Sequence, residues 1–165
     1  AELARLRRLA ARRDALAVAL MEIRGFKADD FAQFHPGGSL GRRLLVKAGN
    51  IAQKENLPLS SPNETIIDVV HTISRCGFGL SVIIDNEEIV GVVTDGDIRR
   101  AMESLQERFF GLQAKDLMSP NPKTIETYAT LHEAGAAMEK YKINSLLVVE
   151  NKQLRGILQI YDLHL

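Results

Sequence analysis

A threonine, an aspartate and two arginines lie close together in residues 91–100, GVVTDGDIRR. Thr94 and Asp97 are three residues apart where an apolar strand gives way to a helix, and the free N–H groups of a helix start favour phosphate. A threonine hydroxyl can donate to a phosphate oxygen, and a carboxylate can accept two hydrogen bonds from a ribose diol. Arg99 and Arg100 add positive charge. Together these side chains suit a nucleoside phosphate.

The same spacing has a purely structural interpretation. Aspartate is a favoured residue at the N-cap of a helix, because its carboxylate accepts hydrogen bonds from the free backbone N–H groups there. Asp97 would then cap a helix that begins near Ile98. The residues alone leave the ligand site and the helix cap as equal alternatives.

The elements that would position these residues occur twice in the chain. At an offset of 65 residues Thr65 matches Thr130, and the register continues without a gap to the end. LSVIIDNEEIVGVVTDGDI matches SLLVVENKQLRGILQIYDL, so Gln159 takes the place of Thr94. The repeat therefore contains two equivalent strand ends.

Each repeat predicts a helix followed by a two-stranded hairpin. After Thr65 and after Thr130, apolar residues spaced i, i+3, i+4 and i+7 indicate one buried helix face. An acid three residues after each threonine is typical of a capping box. Two runs suited to strands then follow, joined by the short polar links DNEE and ENKQ. The predicted strands are 80–84 with 89–93 and 146–149 with 154–158.

Short extended segments, LPLSS and PKTIE, precede the two predicted helices, and a third helix at roughly 98–105 leaves the first repeat. One unit of about 55 residues buries too little apolar surface to be stable alone. We therefore expect an α/β (α+β) fold of two units, each a small sheet with two helices. The units would pack sheet to sheet around one shared core, with paired clefts at equivalent strand ends.

The amino-acid composition limits the kinds of partner that we expect the chain to bind. The 165 residues are 45% hydrophobic and 25% charged, which is typical of a globular protein. Because 21 basic residues balance 21 acidic ones, we expect no nucleic-acid partner, and no apolar run is long enough to predict a membrane span. One cysteine, Cys76, and four scattered histidines predict no disulfide framework, no metal site and a cytoplasmic protein. The chain begins at Ala1, so we expect a piece of a longer protein.

GVVTDGDI resembles the G-h-x-T-x-x-D-h signature of CBS modules (h, apolar), and AKDLMSPNPKTI resembles the opening of such a module. A tandem pair, called a Bateman module, binds adenosine nucleotides or related ligands and regulates an attached enzyme or transporter. By this resemblance Thr94 contacts phosphate and Asp97 contacts ribose. The second unit keeps Asp162 but has Gln159 at the threonine position, and Tyr161 crowds the turn. We therefore expect one intact site and a second, degenerate one. In the first unit VKAGNIAQ replaces the usual D-I-M-like opening, which weakens the prediction of a base pocket.

DALAVAL, RGF and DDFAQFHPGGSLGRRL, followed by the paired modules, are similar to the D-arabinose 5-phosphate isomerase family of Kdo and lipopolysaccharide synthesis. The resemblance implies that 1–45 is the end of a sugar isomerase (SIS) domain with its linker, 46–108 the first CBS module and 114–165 the second. It places His35 at the active site, where a histidine can transfer protons near neutral pH. Since most of the SIS domain is missing, we expect this fragment alone to be inactive.

Two functions remain open at this point. In the first, the pair is a regulatory module that needs no cofactor and binds a small-molecule nucleotide, either an adenosine nucleotide or CMP-Kdo. In the second, the pair binds nothing and is a structural scaffold for the oligomer. The family implies as partners the missing SIS domain and further copies of the chain, as a dimer of CBS pairs and a tetramer in the parent protein.

Overall fold

The computed structural model describes residues 43–164, and all structural statements below concern that part of the chain. His35 and most of the predicted SIS segment lie outside the described residues, so their roles stay predictions. Residues Val46–His164 form one compact unit. This unit contains both predicted repeats.

The order of elements repeats as the sequence predicts, which confirms the mixed α/β fold. The first half has a 3₁₀ helix at Gln106–Gly111 after its last α-helix, and the second half ends in a 3₁₀ helix, Ile160–His164. The elements of the first half are α1 (Ala48–Ile51), β1 (Leu59–Ser60), α2 (Ile66–Cys76), β2 (Leu80–Asp85), β3 (Glu88–Thr94) and α3 (Asp95–Leu105). Those of the second half are α4 (Ala114–Leu117), β4 (Ser119–Pro120), β5 (Thr124–Glu126), α5 (Leu131–Tyr141), β6 (Ser145–Glu150) and β7 (Gln153–Gln159).

Helices α2 and α5 begin at the two predicted threonines. The Thr65 hydroxyl accepts a hydrogen bond from the N–H of Asp68 at 3.3 Å. The Thr130 hydroxyl likewise accepts from the N–H of Glu133 at 3.2 Å, and the Glu133 carboxylate accepts from the N–H of Thr130 at 2.7 Å. This reciprocal pair is a capping box, which satisfies two of the free donors at the helix start.

Both hairpins turn through two residues with positive φ, as type I′ turns require. Asn86 and Glu87 connect β2 to β3 with φ of 48° and 68°, and Asn151 and Lys152 connect β6 to β7 with φ of 52° and 66°. The strands of each hairpin pair antiparallel, while β1 runs parallel to β2 and β5 runs parallel to β6. The links DNEE and ENKQ are therefore confirmed as hairpin connections.

Each half contributes a segment to the sheet of the other half. Strand β4, from the second half, pairs antiparallel with β3, so Ser119 lies opposite Val92. Conversely Gln53, from the first half, forms a bridge with Ile157 of β7, with an N···O distance of 2.9 Å in both directions. The two halves are thus interwoven: in each half, the segment before the first long helix pairs with a strand of the other half.

The buried side chains form three clusters. One fills each half, and each includes alanines from the other half's opening helix: Ala114 in the first and Ala48 with Ala52 in the second. The third lies between the sheets and confirms the shared core. It consists of Phe78, Leu80, Val82, Leu147 and Ile157.

Candidate functional site

A cleft of about 990 Å³ is lined by residues of both halves and includes the end of β3. Thr94, Asp97 and Arg100 line it from the first half. From the second half it is lined by the loops 119–123 and 142–145, which precede β5 and the body of β6. The repeat therefore brings the predicted Thr94–Asp97 pair into a cavity of ligand size.

The structure corrects the predicted cap of α3. Thr94, not Asp97, is the N-cap, and the helix begins at Asp95 rather than near Ile98. The Asp97 Oδ2 atom accepts from the Thr94 N–H at 2.9 Å and from the Thr94 hydroxyl at 2.7 Å, while the Thr94 Oγ1 atom accepts from the Asp97 N–H at 3.2 Å. The prediction is wrong because it starts the helix at Ile98, the first apolar residue. In a capping box the acid lies inside the first turn, three residues after the N-cap.

The two arginines differ in their position. The Arg100 Nη2 atom donates to Asp97 Oδ1 at 2.6 Å, and the Arg100 side chain lines the cleft. Its side chain is 72% exposed, whereas that of Asp97 is 15% exposed. Arg99 is exposed and is not among the residues that line the cleft. Of the predicted pair, only Arg100 therefore joins Thr94 and Asp97.

The helix cap uses only part of the hydrogen-bonding capacity of the Asp97 carboxylate. Its Oδ2 atom accepts two hydrogen bonds from Thr94, and its Oδ1 atom accepts one from Arg100. A carboxylate offers about four acceptor positions, so one remains, and release of Arg100 would free another. Two positions are what a ribose diol needs, so the structural cap does not exclude the ligand site.

At the equivalent end of β7, Gln159 and Tyr161 also line the cleft, and their polar side chains bond within the protein. Asp162 accepts from the Gln159 N–H at 2.7 Å, as Asp97 does from Thr94, but Asp162 is not among the cleft-lining residues. The Gln159 side chain is buried, and its Nε2 atom donates to the carbonyl of Phe78 at 3.2 Å and to the Ser145 hydroxyl at 3.4 Å. The Tyr161 hydroxyl in turn donates to the Gln159 Oε1 atom.

These bonds connect the two strand ends. Phe78, which Gln159 contacts, precedes Gly79, and the carbonyl of Gly79 accepts from the N–H of Asp95 at 3.0 Å. The loop before β2 is therefore held by the end of β7 on one side and by the start of α3 on the other. Two successive carbonyls, those of Phe78 and Gly79, thus accept hydrogen bonds from the two strand ends.

Two basic residues of the cleft lining were not predicted from the sequence. Lys123 and Lys142 line the cleft from the second half, and the Lys123 Nζ atom lies 4.7 Å from the ring centre of Tyr141. With Arg100 they give the lining three positive side chains against two acids, Asp95 and Asp97. The cleft therefore favours an anion. The predicted pairing of equivalent strand ends was the signal that could have led to these loops.

Among residues 43–164, Glu133 is a titratable group whose pKa is shifted by its surroundings. The backbone N–H of Thr130 and then its hydroxyl lower the pKa of Glu133, but Glu133 lies outside the cleft lining. Within residues 43–164 no group of three or more His, Cys, Asp or Glu side chains is arranged to hold a metal ion. Nor does any described helix have the length and apolar character to cross a membrane.

Both halves of the described unit match a known protein family. The CBS domain family matches residues 49–104 and 114–164, which include both Thr94–Asp97 and Gln159–Asp162. The chain belongs to the CBS domain family. Each half of the compact unit is one CBS module, and the cleft lies at the CBS pair's strand ends.

Two curated relatives cover most of this chain. The "Probable arabinose 5-phosphate isomerase" of Haemophilus influenzae is 42% identical over 139 residues, which are 84% of this chain and 41% of the relative. Arabinose 5-phosphate isomerase KdsD of Francisella tularensis is 40% identical over 153 residues, 91% of this chain and 46% of the relative. The chain thus spans less than half the length of these relatives.

Solved structures share the fold. The CBS domain protein PAE2072 from Pyrobaculum aerophilum, complexed with AMP, superposes with a TM-score of 0.64 at 23% identity, over 71% of this chain and 89% of that chain. CBSX2 of Arabidopsis thaliana, in complex with AMP, gives a TM-score of 0.61 at 24% identity, over 71% and 92% of the two chains. At these identities the likeness is one of fold.

Proposed function

We propose that this CBS pair is the regulatory, nucleotide-binding part of an arabinose 5-phosphate isomerase. The observation that carries the proposal is the cleft, whose lining combines Thr94 and Asp97 with three positive side chains against two negative ones. The carboxylate can accept a ribose diol, and the cations suit phosphate. The likeness to isomerases over most of the chain supports the assignment of the parent protein.

The ligand is either an adenosine nucleotide or CMP-Kdo. Two proteins of this fold hold AMP in their crystal structures, which supports the first. CMP-Kdo combines ribose and phosphate with a sugar-acid carboxylate, and the cations of both modules, Arg100, Lys123 and Lys142, suit its additional negative charge. As a downstream product it would act as a feedback signal.

Calorimetric titration of the chain with AMP, ATP, CMP and CMP-Kdo tests this function. We expect saturable binding of at least one compound, lost in Asp97→Ala. The matched control is Glu133→Ala, which removes the acid of the same kind of capping box outside the cleft. Blank heats for all four compounds, or equal loss of binding in both variants, would contradict the proposal.

For the parent protein we propose the interconversion of ribulose 5-phosphate and arabinose 5-phosphate, with His35 moving a proton between C1 and C2. Its neutral imidazole can accept the proton near physiological pH. His35→Asn in the full-length protein should abolish isomerisation, while His71→Asn, at an exposed position of α2, should not. Full activity of His35→Asn would overturn this assignment, and activity of the 165-residue chain alone would contradict the expected inactivity of the fragment.

The second candidate function is a scaffold that binds nothing and holds the parent oligomer together. It is favoured by one observation: the Thr94 hydroxyl, the Asp97 carboxylate and the Gln159 amide all have partners within the protein. In that case the titrations show no heats of binding, while removal of residues 46–165 from the full-length protein dissociates its oligomer. If the pair is regulatory, removal abolishes the response to the nucleotide.

A further inference from the structure

We propose that Arg100 is an exchangeable occupant of the ligand site. Its guanidinium bonds the Asp97 carboxylate while the site is empty, yields that position to the diol of the ligand, and then bonds the ligand's phosphate. Arg100 is thereby the residue that selects a nucleotide over its nucleoside. The inference rests on the proposed function, since it concerns the same cleft.

The ion pair has the geometry of a replaceable contact. Arg100 Nη2 and Asp97 Oδ1 lie 2.6 Å apart, but the arginine side chain is 72% exposed, and an ion pair so open to solvent is weak. Asp97 is held separately, because its other oxygen accepts two hydrogen bonds from Thr94. When the guanidinium leaves, the carboxylate therefore keeps its orientation toward the cleft.

Gly96 lets the guanidinium lie against the first turn of α3. A Cβ atom at this residue would be 3.1 Å from Arg100 Nη1 and 3.5 Å from both Arg100 Nη2 and the Thr94 hydroxyl oxygen. The guanidinium and the Thr94 hydroxyl thus flank the same small residue. A modest rotation of the arginine side chain would carry it from the Asp97 carboxylate to a phosphate group at Thr94.

The charge of the ligand determines whether the exchange of Arg100 is favourable. Among the described residues only Asp97 forms an ion pair with Arg100. A nucleoside that takes the Oδ1 position leaves the guanidinium without a counter-charge, whereas a nucleotide brings one with it. Charge-assisted hydrogen bonds to phosphate are roughly twice as strong as neutral ones. Wild type should therefore bind the phosphorylated compound much more tightly.

The test compares two matched pairs of compounds, AMP with adenosine and CMP with cytidine, by calorimetric titration of wild type and Arg100→Met. In the variant we expect the phosphorylated compound to bind about tenfold more weakly and the nucleoside to bind equally or up to about fivefold more tightly. Arg99→Met is the control: it removes the same charge from the neighbouring residue outside the cleft lining. It should keep the wild-type preference.

The outcomes separate this inference from the proposed function. If wild type binds AMP or CMP and Arg100→Met keeps the same preference over the nucleoside, Arg100 has no such role while the nucleotide site stands. An equal loss in Arg99→Met and Arg100→Met would also overturn it, because the effect would be one of net charge. If none of the four compounds binds to wild type, this inference is wrong, and the proposed function is wrong as well if ATP and CMP-Kdo also fail to bind. Nucleoside binding that appears only in Arg100→Met would support the exchange directly.

Discussion

At the scale of residues, Asp97 shows how a helix cap and a ligand group can be the same side chain. One carboxylate oxygen is committed to Thr94, and the other meets the exposed Arg100. The alternatives that the sequence left open, cap or ligand site, are therefore not exclusive. The capping box supplies a fixed carboxylate beside the cleft, and the weakly held arginine keeps it available.

The two equivalent aspartates should differ in their effect on ligand binding. Asp97→Ala should abolish nucleotide binding, whereas Asp162→Ala should weaken it less, because Asp162 lies outside the cleft lining. Each substitution also removes a bond to the backbone N–H three residues earlier, at a cost of about 1 kcal/mol in stability. Calorimetry and urea unfolding of both variants measure the two effects separately. Equal losses of affinity would contradict the assignment of one intact site.

Glu133 gives a pH-dependent contribution to stability. The Thr130 N–H and hydroxyl lower the pKa of Glu133 below its ordinary value of 4.5. The ionised form is therefore stabilised by folding, and this contribution is present above that value and lost as pH falls through the lower, folded-state pKa. Urea unfolding of wild type and Glu133→Gln between about pH 7 and about pH 3 should show a gap that closes toward acid. A gap that is independent of pH would refute this.

At the scale of elements, the parts with local signals were predictable. Thr65 and Thr130 predicted the starts of α2 and α5, and DNEE and ENKQ predicted the hairpins, because caps and turns depend on neighbouring residues. The interwoven segments were not predictable, since the contact of Gln53 with Ile157 joins residues about a hundred apart.

The candidate site likewise has one part that the sequence predicts and one part that it does not. Thr94, Asp97 and Arg100 lie within one strand-to-helix junction, so their proximity could be predicted from spacing. Lys123 and Lys142 reach the cleft only through the packing of one half against the other, and no local pattern indicates that. The degenerate second site was predicted from Gln159, but its bond to Phe78 of the other half was not.

Two glycines at equivalent repeat positions mark where the interwoven segments approach most closely. A Cβ atom on Gly156 would lie 2.7 Å from the carbonyl oxygen of Gln53, whereas on Gly91 it would lie 2.9 Å from the flexible side chain of Met118 and 3.0 Å from the carbonyl oxygen of Ser119. Gly156→Ala should therefore cost about 1–3 kcal/mol in stability and Gly91→Ala less. Urea unfolding at equal protein concentration measures both. A larger loss in Gly91→Ala would contradict the described packing.

At the scale of the whole unit, the two modules should unfold as one. Each contributes to the other's sheet and core, and the third apolar cluster joins them. Val82→Ala, in that cluster, should cost about 1–3 kcal/mol of stability and lower the urea midpoint of both halves together. Amide NMR signals from α2 and from α5 report the two halves separately. Distinct midpoints for these signals would show independent modules.

The central claim is that a nucleotide binds at the end of β3, in the cleft that both modules line. The most direct test is the change in backbone amide NMR signals of the chain on addition of AMP and, separately, of CMP-Kdo. We predict saturable shifts at Thr94, Asp97 and the loop 142–145 with at least one compound, and smaller ones at Asp162, which lies outside the cleft lining. Absence of shifts with both compounds, or shifts confined to Gln159–Asp162, would contradict the account.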